Sequence, residues 1–239
     1  MNPASPAFFP DGILPVDKPS DWTSHDVCHF VRKRFRIEKV GHAGTLDPMA
    51  TGLVVLLLGR ATKQSNTFSG HDKTYEGVFR LGVKTDSQDR TGKILAEGDA
   101  SRVTLEDVKL AALAFTGEIM QTPPMVSAVK HQGVRLYKLA RQGKEVDREA
   151  RPVTVHEFLI RDKQGDRVHF FMRVSKGTYV RTIVHEIGEN LGCFAVLDDL
   201  RRTQSGPFEI KQAVTIDELK QMTPEALRER ILPLAPCRF

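Results

Sequence analysis

Cysteine is scarce in this 239-residue chain: Cys28, Cys193 and Cys237 are its only three. Far apart and odd in number, they exclude a disulfide framework and every Cys-x-x-Cys metal site, and they fit a reducing compartment. Long hydrophobic runs are missing too. The longest purely aliphatic stretch, Leu53 to Leu58, is six residues, too short to cross a membrane. The stretch from Met1 to Pro10 has no basic head and no long apolar core, so it does not read as a secretory signal. Cofactor motifs are absent as well. Gly92-Lys93 lacks the upstream Gly and the following Ser/Thr of a P-loop, and no Gly-x-Gly-x-x-Gly follows a strand. No Gly-x-Ser-x-Gly elbow occurs, and position 189 is Glu where a zinc protease helix opened by His185-Glu186 needs His. Asp86 and Asp89 lack the spacing of a calcium loop. The expectation is therefore no metal and no cofactor, with catalysis resting on ordinary side chains.

What is present is a soluble, globular composition, 40% apolar and 27% charged. A chain of this length buries about 70% of its unfolded surface and folds without staples. It reads as one large domain, or one domain with an insertion. The net charge of +5 is unevenly spread. Arg32 to Lys39 carries five bases and one acid; Val126 to Arg151 carries seven bases and three acids. These windows are +4 each, which leaves the rest of the chain near −3. Focused positive charge on a mildly acidic body is the footprint of a polyanion binder, though two solvated surface segments would look the same.

Along the chain, residues 1–10 read as a loose leader. An extended run covers Gly12 to Asp17, and a helix starts near Ser24 with Val27, Phe30, Val31 and Phe35 on one face. Leu53 to Leu58 reads as a buried strand and Thr74 to Val83 as another, followed by a turn over Asp86 to Gly92. Thr104 to Asp107 resembles a capping box opening a helix to about Phe115. Residues 125–151 read as a projecting basic insertion with one short helix at Leu136 to Ala140. Val153 to Ile160 and Val168 to Val174 are strands joined at Gln164-Gly165. A helix spans Thr178 to Leu191, stopped by Gly192. Thr215 to Glu218 is a second capping box, and Thr223-Pro224 opens a last helix. Strands and helices do not alternate regularly, so the fold class is α+β and not a doubly wound sheet.

The densest stretch is Gly41 to Gly52, GHAGTLDPMATG. Three glycines and a proline in twelve residues specify a tight irregular path, in which Asp47 either caps its own backbone or is aimed into a cleft. This stretch resembles the catalytic motif of the tRNA pseudouridine-55 synthases, the TruB family. The resemblance extends to GILPVDKP (Gly12 to Pro19) with Thr23-Ser24, to Lys73-Thr74-Tyr75, and to LGVKTDSQDRTG (Leu81 to Gly92). It continues through QTPPMVSAVKHQGVRLYKLARQG (Gln121 to Gly143), SKGTYVRTIVHEIG (Ser175 to Gly188) and LRRTQSGPF (Leu200 to Phe208). These matches run in order over roughly four-fifths of the chain.

The resemblance implies a pseudouridine synthase fold: a central, largely antiparallel mixed sheet flanked by helices. Residues 11–239 would form the catalytic domain, with 122–151 inserted as an RNA-binding thumb. Some 30 residues after Phe208 are too few for the C-terminal PUA domain many bacterial members carry, so none is expected. The implied reaction converts uridine to pseudouridine at position 55 in the TΨC loop of tRNA, on a flipped-out nucleotide. Asp47 would be the nucleophile, through attack at C1′, attack at C6, or an elimination. Arg181 would pair with Asp47, and Tyr75 would stack on the displaced uracil. Tyr179 and Leu200 match pocket-lining positions, and His42 would enter the T-loop. Lys18 would order the loops near the cleft or touch phosphate. Lys130 and Arg141 would contact the RNA backbone. The implied partner is the T-arm of tRNA, with no obligate protein partner, for a cytoplasmic monomer. An rRNA-directed relative working in a guide-RNA particle and a non-catalytic RNA-folding chaperone are the alternatives.

Overall fold

The computed structural model describes residues 9–234, so the first eight residues of the expected leader lie outside it. The described residues pack as two units, one formed by residues 9–73 and 201–234, the other by residues 74–200.

The first unit begins with β1 (Gly12–Lys18), buried along nearly its whole length. Thr23 then caps α1 (Ser24–Phe35) in a reciprocal capping box with Asp26. Val27, Cys28, Val31 and Phe35 are its buried positions. Phe30, expected on the same face, is only partly buried and meets Trp22 edge-on at 5.8 Å. The helix ends where Arg36 turns left-handed, at φ 55°, its N–H bonded to the Arg32 carbonyl. Two further strands, β2 (Val40–His42) and β3 (Thr51–Leu58), bracket the glycine-rich loop. β3 runs antiparallel to β1, from Gly12 opposite Leu58 to Lys18 opposite Gly52. Its six aliphatic residues are all buried, as a strand covered on both faces requires. A 3-10 turn (Gly59–Gln64) and the short α2 (Ser65–Ser69) close this segment.

The second unit contains β4 (Lys73–Leu81), the small hairpin β5 (Val83–Thr85) and β6 (Ile94–Glu97), and α3 (Leu105–Leu113). Thr104 and Asp107 form the expected capping box of α3. An edge strand that sequence reading did not anticipate follows, β7 (Gly117–Gln121). The basic insertion carries a two-residue-per-strand hairpin, β8 (Lys130–His131) and β9 (Val134–Arg135), then α4 (Leu136–Ala140) at the expected bounds. β10 (Arg151–Gln164) and β11 (Arg167–Val174) form a long antiparallel hairpin, followed by α5 (Val180–Asn190) and β12 (Ala195–Ser205). Gly192, at φ 69°, ends α5 as its position suggested. The strand order is β12-β4-β11-β10-β7. In its core Phe170 meets Phe79 at a tilt and Phe158 edge-on, each at 5.9 Å between ring centres.

The last part of β12 returns the chain to the first unit, where it lies parallel to β3, Arg201 opposite Thr51 and Arg202 opposite Gly52. Gly52 is essential to that approach: at φ 102°, a Cβ there would sit 2.4 Å from the Arg202 carbonyl oxygen. The short β13 (Phe208–Glu209) folds back on β12. β14 (Val214–Thr215) pairs parallel with β1 and leads into α6 (Ile216–Gln221), capped by Thr215 and Glu218 as expected. Next, α7 (Pro224–Arg230) is capped by Thr223 with Pro224 at its first position, and β15 (Leu232–Pro233) closes on β1. The class is α+β with a mixed sheet, antiparallel between β1 and β3 and parallel between β3 and β12. No helix among the described residues is long and apolar enough to cross a membrane.

Candidate active site

Asp47 lies, partly exposed, on the loop between β2 and β3. Almost every backbone group around it is tied down. Leu46 before it exchanges two hydrogen bonds with Ser24: its N–H donates to Oγ at 2.9 Å, and Oγ donates to its carbonyl at 3.4 Å. The Asp47 carbonyl accepts from the N–H of Ala50 at 3.1 Å. The Pro48 carbonyl accepts from the N–H of Asp21 at 2.9 Å and from Lys18 Nζ at 3.1 Å. Ser20 Oγ donates to the Met49 carbonyl at 3.3 Å. A loop held this way presents its carboxylate at a fixed position, which a nucleophile needs.

Lys18 is fully buried on β1. Its ammonium donates to the carbonyls of Pro19, Trp22 and Pro48, at 2.8, 2.7 and 3.1 Å. Three hydrogens meet three acceptors, so the group binds the Asp47 loop to the β1–α1 connection and has no donor left for a phosphate. Burial lowers its pKa to about 8, against the opposing pull of Asp21 and Asp47. His42 is half-buried at the end of β2, paired in register with Leu56.

The other implied site residues belong to the second unit. Tyr75 lies on β4, 8% exposed, and Leu200 on β12, 4% exposed. Tyr179 immediately precedes α5. Gln121 grips its backbone on both sides, with Oε1 accepting from its N–H at 2.7 Å and Nε2 donating to its carbonyl at 3.1 Å. The Arg181 guanidinium stands 5.7 Å from the Tyr179 ring centre, a cation–π spacing. Arg181 is buried in the first turn of α5, where the helix dipole disfavours a cation. Asp89 compensates, its carboxylate 3.6 Å from the guanidinium, and a second nitrogen donates to the Val126 carbonyl at 2.6 Å.

Asp89, the ion-pair partner of Arg181, is a candidate that sequence reading passed over, weighing it only as a calcium ligand. It is buried, and its other oxygen accepts from Ser87 Oγ, Thr91 Oγ1 and the Thr91 N–H, at 2.8, 2.6 and 2.9 Å. The hydroxyl residues two positions either side, Ser87 and Thr91, were the available signal: an Asp so flanked is set up to organise its own turn. Gln88, at φ 65°, completes the loop by accepting from Thr182 Oγ1 at 2.8 Å.

The insertion is anchored at its root by Arg148, which donates to the Pro123 carbonyl at 3.2 Å, and by the buried Leu136. Lys130, Arg135, Lys138, Arg141 and Lys144 are exposed on it, Arg141 lying over the Tyr137 ring at 5.6 Å. None of these five makes an ion pair among the described residues.

Residues 32–180 match the model of the TruB family pseudouridylate synthase N-terminal domain. Residues 181–236 match that of the tRNA pseudouridylate synthase B C-terminal domain. The chain belongs to the TruB family of pseudouridylate synthases. It is similar to tRNA pseudouridine synthase B of Opitutus terrae, 45% identical over 224 residues, which cover 94% of this chain and 93% of that one. The corresponding protein of Symbiobacterium thermophilum is 47% identical over 228 residues, 94% of this chain and 75% of the relative. Among solved structures, a chain of a Cbf5-Nop10-Gar1 complex superposes with a TM-score of 0.72 at 30% identity, covering 93% of this TruB-family chain. The match spans 60% of that solved chain. This likeness and the mixed sheet agree on a pseudouridine synthase fold, and the family makes the protein an isomerase.

Proposed function

We propose that this enzyme isomerises uridine 55 in the TΨC loop of tRNA, with Asp47 as nucleophile on a flipped-out nucleotide. The observation that carries the reading is the Asp47 loop, whose backbone is fixed from Leu46 to Met49 by Lys18, Ser20, Asp21 and Ser24. The relatives at 45–47% identity, named tRNA pseudouridine synthase B, supply the substrate class. Breaking C1′–N1 and forming C1′–C5 neither adds nor removes atoms, so the step calls for no oxidant or energy source. Asp47 supplies the nucleophile, and Arg181, held by Asp89 and the Val126 carbonyl, supplies a buried guanidinium. Tyr75 stacks on the detached uracil, with Tyr179 and Leu200 lining the pocket. His42 supports the flipped conformation by filling the vacated base position. Lys18 acts through the loop it ties down.

Two basic surfaces then hold the RNA. The insertion, with Lys130 and Arg141, contacts the T-stem backbone as a thumb. The end of α1 adds Arg32, Lys33, Arg36 and Lys39, all exposed. Arg34 in their midst has another task, donating to the Lys220 and Met222 carbonyls. Phosphate contacts of this kind set register, and bases in an open loop give specificity. Such an enzyme works in the cytoplasm, where tRNA matures, and as a monomer.

Release of tritium from 5-labelled uridine in a tRNA transcript tests the reading. The enzyme alone is expected to release one equivalent, and a transcript with cytidine at position 55 none. A second reading, action on rRNA inside a guide-RNA particle, is favoured by the likeness to chains from H/ACA assemblies, at 26% identity for one bound to a substrate RNA. It predicts release only when a guide RNA is added. A chaperone without catalysis predicts no release from any RNA.

A further inference from the structure

Among the described residues, Arg202 is the largest side chain enclosed by the protein, at 1% exposure. No carboxylate lies within ion-pair distance of it among those residues. Burying a guanidinium without a counter-ion is costly, and an apolar residue would pack the same space at less expense of stability. What the guanidinium does there is donate in three directions. Nε bonds the Leu53 carbonyl at 2.6 Å, one terminal nitrogen reaches the Gly44 carbonyl at 3.3 Å, and the other the Thr45 carbonyl at 3.5 Å.

These acceptors are informative. Gly44 and Thr45 are the third and second residues before Asp47, while Leu53 opens the buried run of β3. Gly44 turns left-handed, at φ 86°, just past the end of β2. A fork with donors fixed in one plane can join a loop to the strand behind it; a lysine, with one nitrogen on a flexible stem, cannot span the same acceptors. The backbone of Arg202 is itself locked, paired in register with Gly52. Lys18 secures the opposite side of the same loop through the Pro48 carbonyl. Asp47 thus sits between two buried cations that grip the chain before and after it, one from β12 and one from β1.

We propose that Arg202 is a positioning residue for the reaction, setting the place of the Asp47 carboxylate through the Gly44 and Thr45 carbonyls and touching no substrate itself. The proposal rests on Asp47 being the nucleophile. A shift of about 1 Å in a reacting group costs on the order of 100-fold in rate, so loss of the fork lowers kcat by about that factor. Substrate affinity rests on other surfaces and stays nearly constant.

The test uses the full chain, a T-arm hairpin labelled at uridine C5, and the variants Arg202→Lys, Arg202→Gln and Asp47→Asn. Each is first checked for a cooperative melting transition. The expected result is folded lysine and glutamine variants whose kcat falls steeply while KM and hairpin affinity change little. Wild-type kcat in both folded variants overturns the proposal. So does an equal loss in kcat and in hairpin affinity, which would mean general disorder. Failure of both variants to fold would make Arg202 a stability residue and overturn it too. The Asp47→Asn arm separates the two claims. Turnover by that variant removes Asp47 from the nucleophile role, whereas an inactive Asp47→Asn beside an active Arg202→Lys and Arg202→Gln sinks only the positioning role.

Discussion

At the scale of single residues, Lys18 is the side chain whose ionisation the fold perturbs most usefully. Its folded-state pKa of about 8 lies below the ordinary 10.5 because burial penalises the ammonium. The penalty is full below pH 8 and fades as pH rises toward 10.5, where the unfolded chain retains a proton the folded chain has released. Stability linked to this residue therefore rises with pH across that window. Urea unfolding of the wild type and Lys18→Met between pH 8 and 10 reads it: the wild type gains on the variant as pH rises. A constant difference would mean that Lys18 does not titrate in that window. Cys28 supplies a second check. Burial pushes its thiol up to about 12, so it stays unalkylated by iodoacetamide at pH 8 in the native protein and reacts once urea exposes it. Native modification at wild-type stability would contradict the packing of α1. The sequence makes Asp47 conspicuous, because Gly, Pro and Asp crowd one short stretch. Asp89 and Arg202 are not conspicuous. Their roles depend on burial, and a charged residue carries no local mark that it will be enclosed.

At the scale of elements, the helices were the most legible part. Thr23, Thr104, Thr215 and Thr223 each begin a helix, and each accepts a hydrogen bond from an N–H of the first turn. Removing one cap, as in Thr23→Ala, costs about 1 kcal/mol of stability, measurable by denaturant unfolding; an unchanged midpoint would show that the capping box at Asp26 carries no stability. Strand β12 was not legible. Its middle reads Asp198, Asp199, Leu200, Arg201, Arg202, and carboxylates are rare in strands. The alternation is nonetheless there: Leu200 and Arg202 are buried, while Asp199 is exposed and Arg201 partly so. The inward slot at 202 holds a guanidinium, so a polarity pattern cannot recognise the strand. Edge strand β7 escaped for a related reason, since Met120 on it is 63% exposed and Gln121 is buried, inverting the usual signs. The insertion gives a prediction at this scale. Neutralising Lys130, Arg135, Lys138 and Arg141 together is expected to weaken T-arm binding. It should also flatten the slope of log affinity against log salt by roughly 3–4 units. An unchanged salt slope would remove the insertion as the clamp.

At the scale of the whole molecule, the uneven charge noted in the sequence has a structural basis. The +4 at Arg32 to Lys39 caps a helix end in one unit, and the +4 at Val126 to Arg151 covers the insertion of the other. If both meet RNA, about 5–8 phosphates are neutralised, and the salt slope of wild-type tRNA binding is about −4 to −7. A slope near −1 would leave at most one of them in contact. The division into two units was not foreseen, because β4 and β12 each carry a boundary within or at the end of a strand, where composition does not change. On the proposed function the restrained loop presents one carboxylate, and tritium release by Asp47→Asn checks this. The substitution keeps size and most hydrogen bonding. Turnover of 5-labelled tRNA is predicted to vanish while tRNA affinity changes by less than about tenfold, or 1.4 kcal/mol. Multiple turnover by a clean preparation of that variant would remove Asp47 from the nucleophile role.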